Sequence, residues 1–347
     1  MKGVFLYDDL VLESLRRVYG DDVDRFLEAI SLPGKRLYVR VNTLRVSADE
    51  LIDRLRARGL KAFPDEELPE AVYFPVEGPN EVEELELRVY VDKYAAESVY
   101  IGSNLYAPGV VDCDARIKRG DEVSIVGPGG FVVANGIAEM SCYEMKRRGR
   151  GLAVSVFRSV FRAPPLRDLP EFREGLFYPQ SLPAMYVARV LDPKPGDVVV
   201  DMCAAPGGKT SHIVELSKGR AKVIAFDHSR SRLKQMRENL RRLGLERFVE
   251  VKRADSRYIS IDYPMLKADK ILVDPPCSAL GVRPKLYDVK SYRDVVSAAA
   301  YQRQFLGEAT RIAKPGAVIV YSVCTVTIEE CEEVVLDVVK RLSLIHI

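Results

Sequence analysis

The chain has no tryptophan, only three histidines, and no pair of cysteines at C-x-x-C spacing. Its six cysteines stand apart at 113, 142, 203, 277, 324 and 331. That scatter predicts neither a metal site nor a disulfide framework, and reduced intracellular thiols are expected. No run of about 18 apolar residues occurs, so no membrane-spanning helix is expected. The opening residues are not a signal peptide, because Asp8 and Asp9 interrupt them. A cytoplasmic, monomeric protein without a membrane partner is the expectation. Glutamine and asparagine are scarce, at four and five residues, while 29% of residues are charged, a composition that leans toward a thermophile. A net charge of only +2 does not by itself announce a polyanionic partner.

The 347 residues and 47% hydrophobic content support several cored units. Charge is distributed unevenly. Residues 65–86 hold nine acidic side chains and no Lys or Arg, whereas 116–173 hold eleven Lys or Arg against six acids. Lys146, Arg147, Arg148 and Arg150 cluster in that basic block, and 230–242 is basic as well. Such runs are ordinarily solvated faces; two of them raise the case for a polyanion.

Three blocks are legible. In 1–87, a helical pattern is followed by strand-like 37–42, a helix at 49–58 opened by Ser47 and Glu50, and strand-like 71–76. Block 88–162 has short strand-like runs separated by Pro-Gly, Gly-Pro-Gly-Gly and Asn-Gly, which reads as a small β-barrel. After Pro164-Pro165, block 163–347 alternates strands (198–201, 222–226, 247–253, 270–273, 317–321) with helices (211–218, 231–243, 299–313, 327–342). That alternation predicts an α/β, doubly wound parallel sheet.

The chemistry concentrates in the third block. DMCAAPGGKT at 201–210 follows a strand and opens a helix. Gly207 and Gly208 permit close backbone approach, and Ala204 and Ala205 leave room for a ligand. The spacing is neither G-x-G-x-x-G nor a Walker loop, which disfavours a nicotinamide or triphosphate. Asp227 ends the second strand, where a carboxylate suits ribose hydroxyls or caps the next helix. Asp255 ends the third strand and suits an adenine amino group or a turn cap. The loop and these acids together suit an adenosyl ligand such as S-adenosylmethionine. Asp274-Pro275-Pro276-Cys277 fixes a carboxylate and a thiol at a strand exit. Cys324 follows another strand, with a helix start expected near 325–328 to lower its pKa. Cys203 reads as packing, and Cys113, Cys142 and Cys331 as unreactive. Two thiols beside a methyl donor have a chemical rationale. A thiolate added at C6 of a pyrimidine makes C5 nucleophilic, Asp274 can bond N3, and the base must be unstacked to reach them.

Residues 201–210, DPPCS at 274–278 and YSVCT at 321–325 together resemble the Sun/Fmu-type RNA cytosine-5 methyltransferase family. YPQS at 178–181 and Arg40-Val41-Asn42 are similar to its linker segment and to its RRM-like N-terminal strand. The middle block resembles a PUA domain, through AAE at 95–97, YAPGV at 106–110, 117–123 and 134–140. That arrangement is similar to the PUA-bearing tRNA subgroup, of archaeal type. The resemblance implies a Rossmann-like methyltransferase domain at 163–347, an RRM-like unit at 1–87 and a PUA domain at 88–162. It implies Cys324 as the nucleophile at C6, Cys277 in product release, and Asp274 and Lys209 at the cytosine. Cys203, Ala204, Ala205, Pro206, Gly207, Gly208, Lys209, Asp227, Arg232, Asp255 and Asp274 would hold S-adenosylmethionine. It further implies cytosine 72 of a tRNA acceptor stem as target, with the PUA domain on the CCA end and Lys146, Arg147, Arg148 and Arg150 as candidate RNA contacts. Family members continue past 327–342 into a final hairpin, whereas this sequence stops at Ile347, so an uncovered sheet edge is expected. Two other readings compete: a DNA cytosine methyltransferase that uses the Pro-Cys thiol as nucleophile, and a noncatalytic RNA-binding protein.

Overall fold

A computed structural model describes residues 3–343. Val198–Asp201, Lys222–Asp227, Val249–Arg253, Ala268–Val273 and Ala313–Tyr321 form one parallel sheet, in the spatial order third, second, first, fourth, fifth. Successive residues alternate between two apolar layers. Val199, Val223 and Ala225 pack with Leu233 and Leu240 on one side. Val200, Ile224 and Ile271 pack with Phe305 and Ala309 on the other. Burial on both faces is why these strands read as continuous apolar runs. The order reverses between the first and fourth strands, and a crevice opens there at the carboxyl ends. Ala313–Tyr321 lies at the edge of this sheet; the expected absence of a closing hairpin concerns chain outside the described residues. Among the described residues, no helix is long and apolar enough to cross a membrane.

Arg36–Val41, Phe63–Pro64, Ala71–Pro75 and Phe177–Pro179 make a four-stranded antiparallel sheet. Val39, Val41, Val72 and Phe74 face Leu51 and Leu55 of the helix Ala48–Ala57, which Ser47 caps by accepting the Glu50 N–H. Arg40 points to the opposite face and is fully buried against the methyltransferase-like domain. Its guanidinium donates to Glu215 at 2.8 Å, Ser211 Oγ at 2.7 Å and the Gly208 carbonyl at 2.6 Å, and also to Gln180. Asn42 Nδ2 adds bonds to the Gly175 and Leu243 carbonyls at 3.0 and 2.8 Å. A buried ion pair of this kind contributes less to net stability than to fixing one docking geometry.

The segment 1–87 divides its contacts. Val4–Tyr7 pairs in parallel with Tyr287–Lys290, in a sheet separate from that of Arg36–Val41. Helices Asp9–Tyr19 and Val23–Ser31 bury Val11, Leu15 and Val23 against Leu280 and Val295. Conversely, Phe177–Pro179, expected with the third block, completes the N-terminal sheet. Local periodicity identifies a strand but not its partner, so these exchanges are invisible in the sequence.

The middle block folds as a six-stranded sheet in the order Leu105–Tyr106, Leu152–Ser159, Val132–Ala138, Glu122–Val126, Arg88–Val91, Val110–Cys113. Its core holds Val89, Val123, Ile125, Val133 and Ala153. Against the expectation of reduced thiols throughout, Cys113 and Cys142 form a disulfide. Cys113 ends a strand and Cys142 begins the helix Cys142–Arg148. The partners are 29 residues apart and meet only when the sheet folds, so no local spacing signals the bond. The block is tied to the rest at Asp288, which is almost fully buried. Asp288 accepts from Lys93 and Lys285 at 3.2 Å each and from Tyr7 Oη at 3.1 Å.

Candidate active site

Parallel pairing builds the site. Val273 lies opposite Tyr321 in the register, and the ladder continues with Ser322 N–H donating to the Val273 carbonyl at 2.9 Å. The chain leaves both strands on the same side. Cys277 and Cys324 therefore meet, with their sulfurs 3.2 Å apart. In such a contact one sulfur donates its S–H to the other. Cys324 is exposed and Cys277 is only partly so, and the charge is less costly on the better solvated sulfur. The S–H of Cys277 accordingly lowers the pKa of Cys324, with a further contribution from Lys209, against the opposing effects of burial and Asp274. Cys277 is pushed upward by the same contact and by burial.

The expected helix-dipole contribution is absent: the next helix begins only at Glu332, and a turn fills 328–331. The cause is tertiary, the neighbouring thiol, and not the local helix start expected from the sequence.

Beside the sulfurs, both oxygens of Asp274 are engaged. Lys209 Nζ donates at 2.7 Å to one, and Ser322 Oγ at 2.8 Å to the other. Behind them Asp201 is buried and accepts from Thr210 Oγ1 at 2.6 Å; burial pushes its carboxyl up to about 7.

A single cavity of about 1100 Å³ joins these groups to the crevice at the switch point. Lys209, Cys277, Cys324 and Asp274 line it, as do Cys203, Asp227, Arg232 and Asp255. Asp227 is buried at its floor and accepts N–H groups of Ala205 at 3.3 Å and Ser229 at 2.9 Å. It serves the helix start and faces the cavity at once. Asp255 likewise caps the turn by accepting the Arg257 N–H at 3.1 Å and pairs with the Arg257 guanidinium at 2.6 Å, while still lining the cavity. Arg232 donates to the Ala205 carbonyl. Cys203 is held as a thiol by burial.

Ala204, Ala205, Pro206, Gly207 and Gly208 are not among the cavity-lining residues. Ala204 and Ala205 are buried in the apolar layer with Leu233 and Met236. Gly207 has φ 99° at the start of the helix Gly208–Leu216, and a Cβ on Gly208 would sit 2.9 Å from the Tyr178 ring, so close packing of this loop itself calls for glycine at both positions. His228, Ser256, Tyr301 and Phe305 stand on the cavity wall without any signal in the sequence that places them there. Ser322 is visible inside YSVCT, but only the sheet register shows that its hydroxyl reaches Asp274.

Lys146, Arg147, Arg148 and Arg150 lie far along the chain from these groups, on and just after the helix Cys142–Arg148. Lys146 pairs with Asp112 at 2.5 Å and Arg148 with Glu144 at 2.8 Å, while Arg147 stacks over Tyr143.

The cavity has the polarity an adenosyl sulfonium requires: apolar and aromatic walls, the buried Asp227 carboxylate, and Asp274 beside the thiols. Residues 188–345 match the family described as 16S rRNA methyltransferase RsmB/F, 87–160 match the PUA domain, and 8–82 match the ferredoxin-like domain of RsmF/B-like methyltransferases. The chain is 45% identical over 324 residues to a tRNA (cytosine(72)-C(5))-methyltransferase of Pyrococcus horikoshii, spanning 92% of this chain and 82% of that one. It is 30% identical to the human tRNA (cytosine(72)-C(5))-methyltransferase NSUN6, over 96% of this chain and 78% of that one. The crystal structure of NSun6 from P. horikoshii with SFG, an analogue of S-adenosylmethionine, superposes with a TM-score of 0.88 at 44% identity, covering 96% and 88% of the two chains.

Replacing Asp227 by Ala is expected to weaken S-adenosylmethionine binding by about 1.5–3 kcal/mol, the range for hydrogen bonds to a charged group. Calorimetry measures the affinity, and thermal melting controls for the missing bonds to Ala205 and Ser229. Unchanged affinity would leave Asp227 as a helix-start acceptor only.

Proposed function

Because the chain belongs to the RsmB/F-type methyltransferase family, in the arrangement that carries a PUA domain, we propose that it methylates C5 of a cytosine in RNA. The substrate named for its relatives, cytosine 72 of tRNA, is the one we assign. The observation that carries the reading is the 3.2 Å pair of thiols opening into the same cavity as the Asp227 crevice.

Bound in that crevice, S-adenosylmethionine supplies an electrophilic methyl group on sulfur. The protein's own residues prepare the base. The Cys324 thiolate adds to C6, forming the S–C6 bond while the C5=C6 π pair moves toward C5. As negative charge builds at N3, the Lys209 ammonium, 2.7 Å from Asp274, passes a proton through that carboxyl to N3, and Ser322 holds the carboxyl in place. C5 takes the methyl group; Cys277, after giving its own proton to water, removes the C5 proton as a thiolate, and the S–C6 bond breaks as C5=C6 re-forms, returning the Cys324 thiolate. Cys277 suits the release step. Its raised pKa comes largely from the neighbouring Cys324 sulfur, and that influence ends once Cys324 bonds to carbon. The DNA-methyltransferase reading, in which Cys277 attacks, leaves the lowered pKa of Cys324 unused and gives the PUA block no role. A noncatalytic role leaves both thiols without one.

The roles separate by mutation. Cys324→Ala is expected to abolish methylation and any covalent RNA adduct, whereas Cys277→Ala accumulates the adduct because attack survives and release fails. Denaturing gels of protein incubated with tRNA read both. An adduct in Cys324→Ala that is missing from Cys277→Ala would reverse the assignment.

RNA docking is assigned in part to the basic cluster of the PUA block. Two of its four cations already have acidic partners. Replacing Lys146, Arg147, Arg148 and Arg150 by Ala is expected to weaken tRNA binding. The log–log slope of affinity against salt should flatten by about 0.7–0.9 for each phosphate that the protein no longer neutralises. S-adenosylmethionine affinity, set in another domain, stays as it was. Parallel salt slopes with equal affinities would make the cluster plain surface and move the search to Arg230–Leu243.

A further inference from the structure

We infer that Glu330 is a positioning residue for the two thiols, its buried carboxylate joining the residue after Cys277 to the residue after Cys324. The inference rests on the proposed roles of those thiols and deepens them.

Glu330 has no exposed surface. One of its oxygens accepts the backbone N–H of Ser278 at 2.9 Å and Gln302 Nε2 at 2.8 Å. The other accepts the hydroxyls of Thr325 and Thr327 at 3.3 Å each. All four donors are neutral. Ser278 Oγ and Thr325 Oγ1 lie 2.7 Å apart and close the link between the two loops. Gln302 is itself fixed, donating to the Pro276 carbonyl at 3.0 Å and accepting from Tyr321 Oη at 3.0 Å. Tyr321 Oη also lies 2.7 Å from the Glu330 carbonyl, where its proton has a second acceptor. The loops that carry the two sulfurs are thus tied to one carboxylate behind them, while the sulfurs themselves face the cavity.

A thiol–thiolate contact depends steeply on distance, and nothing covalent sets it here. The loops leave two different strands; one backbone bond joins them directly, Gly281 N–H to the Cys324 carbonyl at 3.1 Å, and the side-chain links through Glu330 fix the residues next to each sulfur. A buried acceptor does this well: withdrawing any of its donors leaves an unsatisfied buried polar group, so each link resists opening. Glu330 touches neither substrate nor cofactor cavity, since it is absent from the cavity wall. It acts through Ser278 and Thr325.

The test is the pH profile of Cys324 alkylation by iodoacetamide, resolved by mass spectrometry on the whole chain without RNA, together with methylation rate and S-adenosylmethionine affinity. The charged and titratable groups facing Cys324 are Cys277, Lys209 and Asp274, and all are kept in every variant. Glu330→Ala is expected to move the profile to higher pH and to slow methylation roughly ten- to a hundredfold, the scale of a 1 Å misplacement, with cofactor affinity unchanged. Glu330→Gln keeps an acceptor for Ser278 N–H and offers an amide to the threonine hydroxyls, so it is expected to restore most of the profile and rate. A folded Glu330→Ala with the wild-type profile and rate overturns the inference. So does a loss of cofactor affinity in step with rate, or a Glu330→Gln no better than Ala. If Glu330→Ala does not fold, Thr325→Val removes the bonds of that hydroxyl to Glu330 and Ser278 but keeps the Ser278 N–H, Gln302 and Thr327 links, and is expected to lie between wild type and full loss; a wild-type profile in that variant is equally fatal. Failure of Cys277→Ala to accumulate an RNA adduct would sink the proposed chemistry without touching the alkylation result, which needs no RNA.

Discussion

The rest of the site depends on the parallel pairing of Ala268–Val273 with Ala313–Tyr321. Neighbouring parallel strands release their chains on the same side of the sheet. Their register decides that the loop of Cys277 and the loop of Cys324 meet rather than pass. From this follow the shared proton, the lowered pKa of the more exposed sulfur, and the position of Asp274 beside both. An antiparallel pairing of the same two strands would send the cysteines to opposite ends. The division of labour between the thiols is therefore a consequence of topology, refined by which sulfur water reaches.

The two preceding blocks are held to the third by buried polar contacts as well as by apolar ones such as Val11 and Leu15 against Leu280 and Val295. Arg40 and Asn42 reach from the N-terminal sheet to the start of the cofactor helix and to the chain before it. His212 and Arg189 both meet Glu70 on the same seam. Asp288 collects Lys93 from the PUA block and Lys285 and Tyr7 from the other elements. Directional contacts of this kind specify orientation. A site that must accept a base from a large RNA benefits from fixed orientation, because the distance from docking surface to thiol is then built in. Arg40 has a second consequence: it holds the Gly208 carbonyl, one residue before Lys209, so the domain contact and the cofactor loop share an atom.

Much of this is legible in the sequence, for physical reasons. A doubly buried parallel sheet writes long apolar runs, and DMCAAPGGKT, DPPC and YSVCT fall where those runs end. What stays hidden is pairing between distant positions. Nothing at Cys113 or Cys142 signals a disulfide, since the bond depends on sheet closure. The strand Tyr287–Lys290 finds its partner at the opposite end of the chain. That the glycines of the cofactor loop also pack against Tyr178 and Met236 is likewise not written locally. Glu330, in an ordinary Thr-Ile-Glu-Glu run, shows no sign of its four donors until the two cysteine loops are brought over it.

In the proposed function this cavity delivers a methyl group to C5 of one unstacked cytosine in RNA. The decisive measurement is bisulfite sequencing of an unmodified tRNA transcript incubated with the protein and S-adenosylmethionine. One newly protected cytosine is expected, at position 72, and none when the cofactor is left out. Full conversion of every cytosine by folded, cofactor-binding protein, or methyl transfer from S-adenosylmethionine to any atom other than cytosine C5, would contradict it.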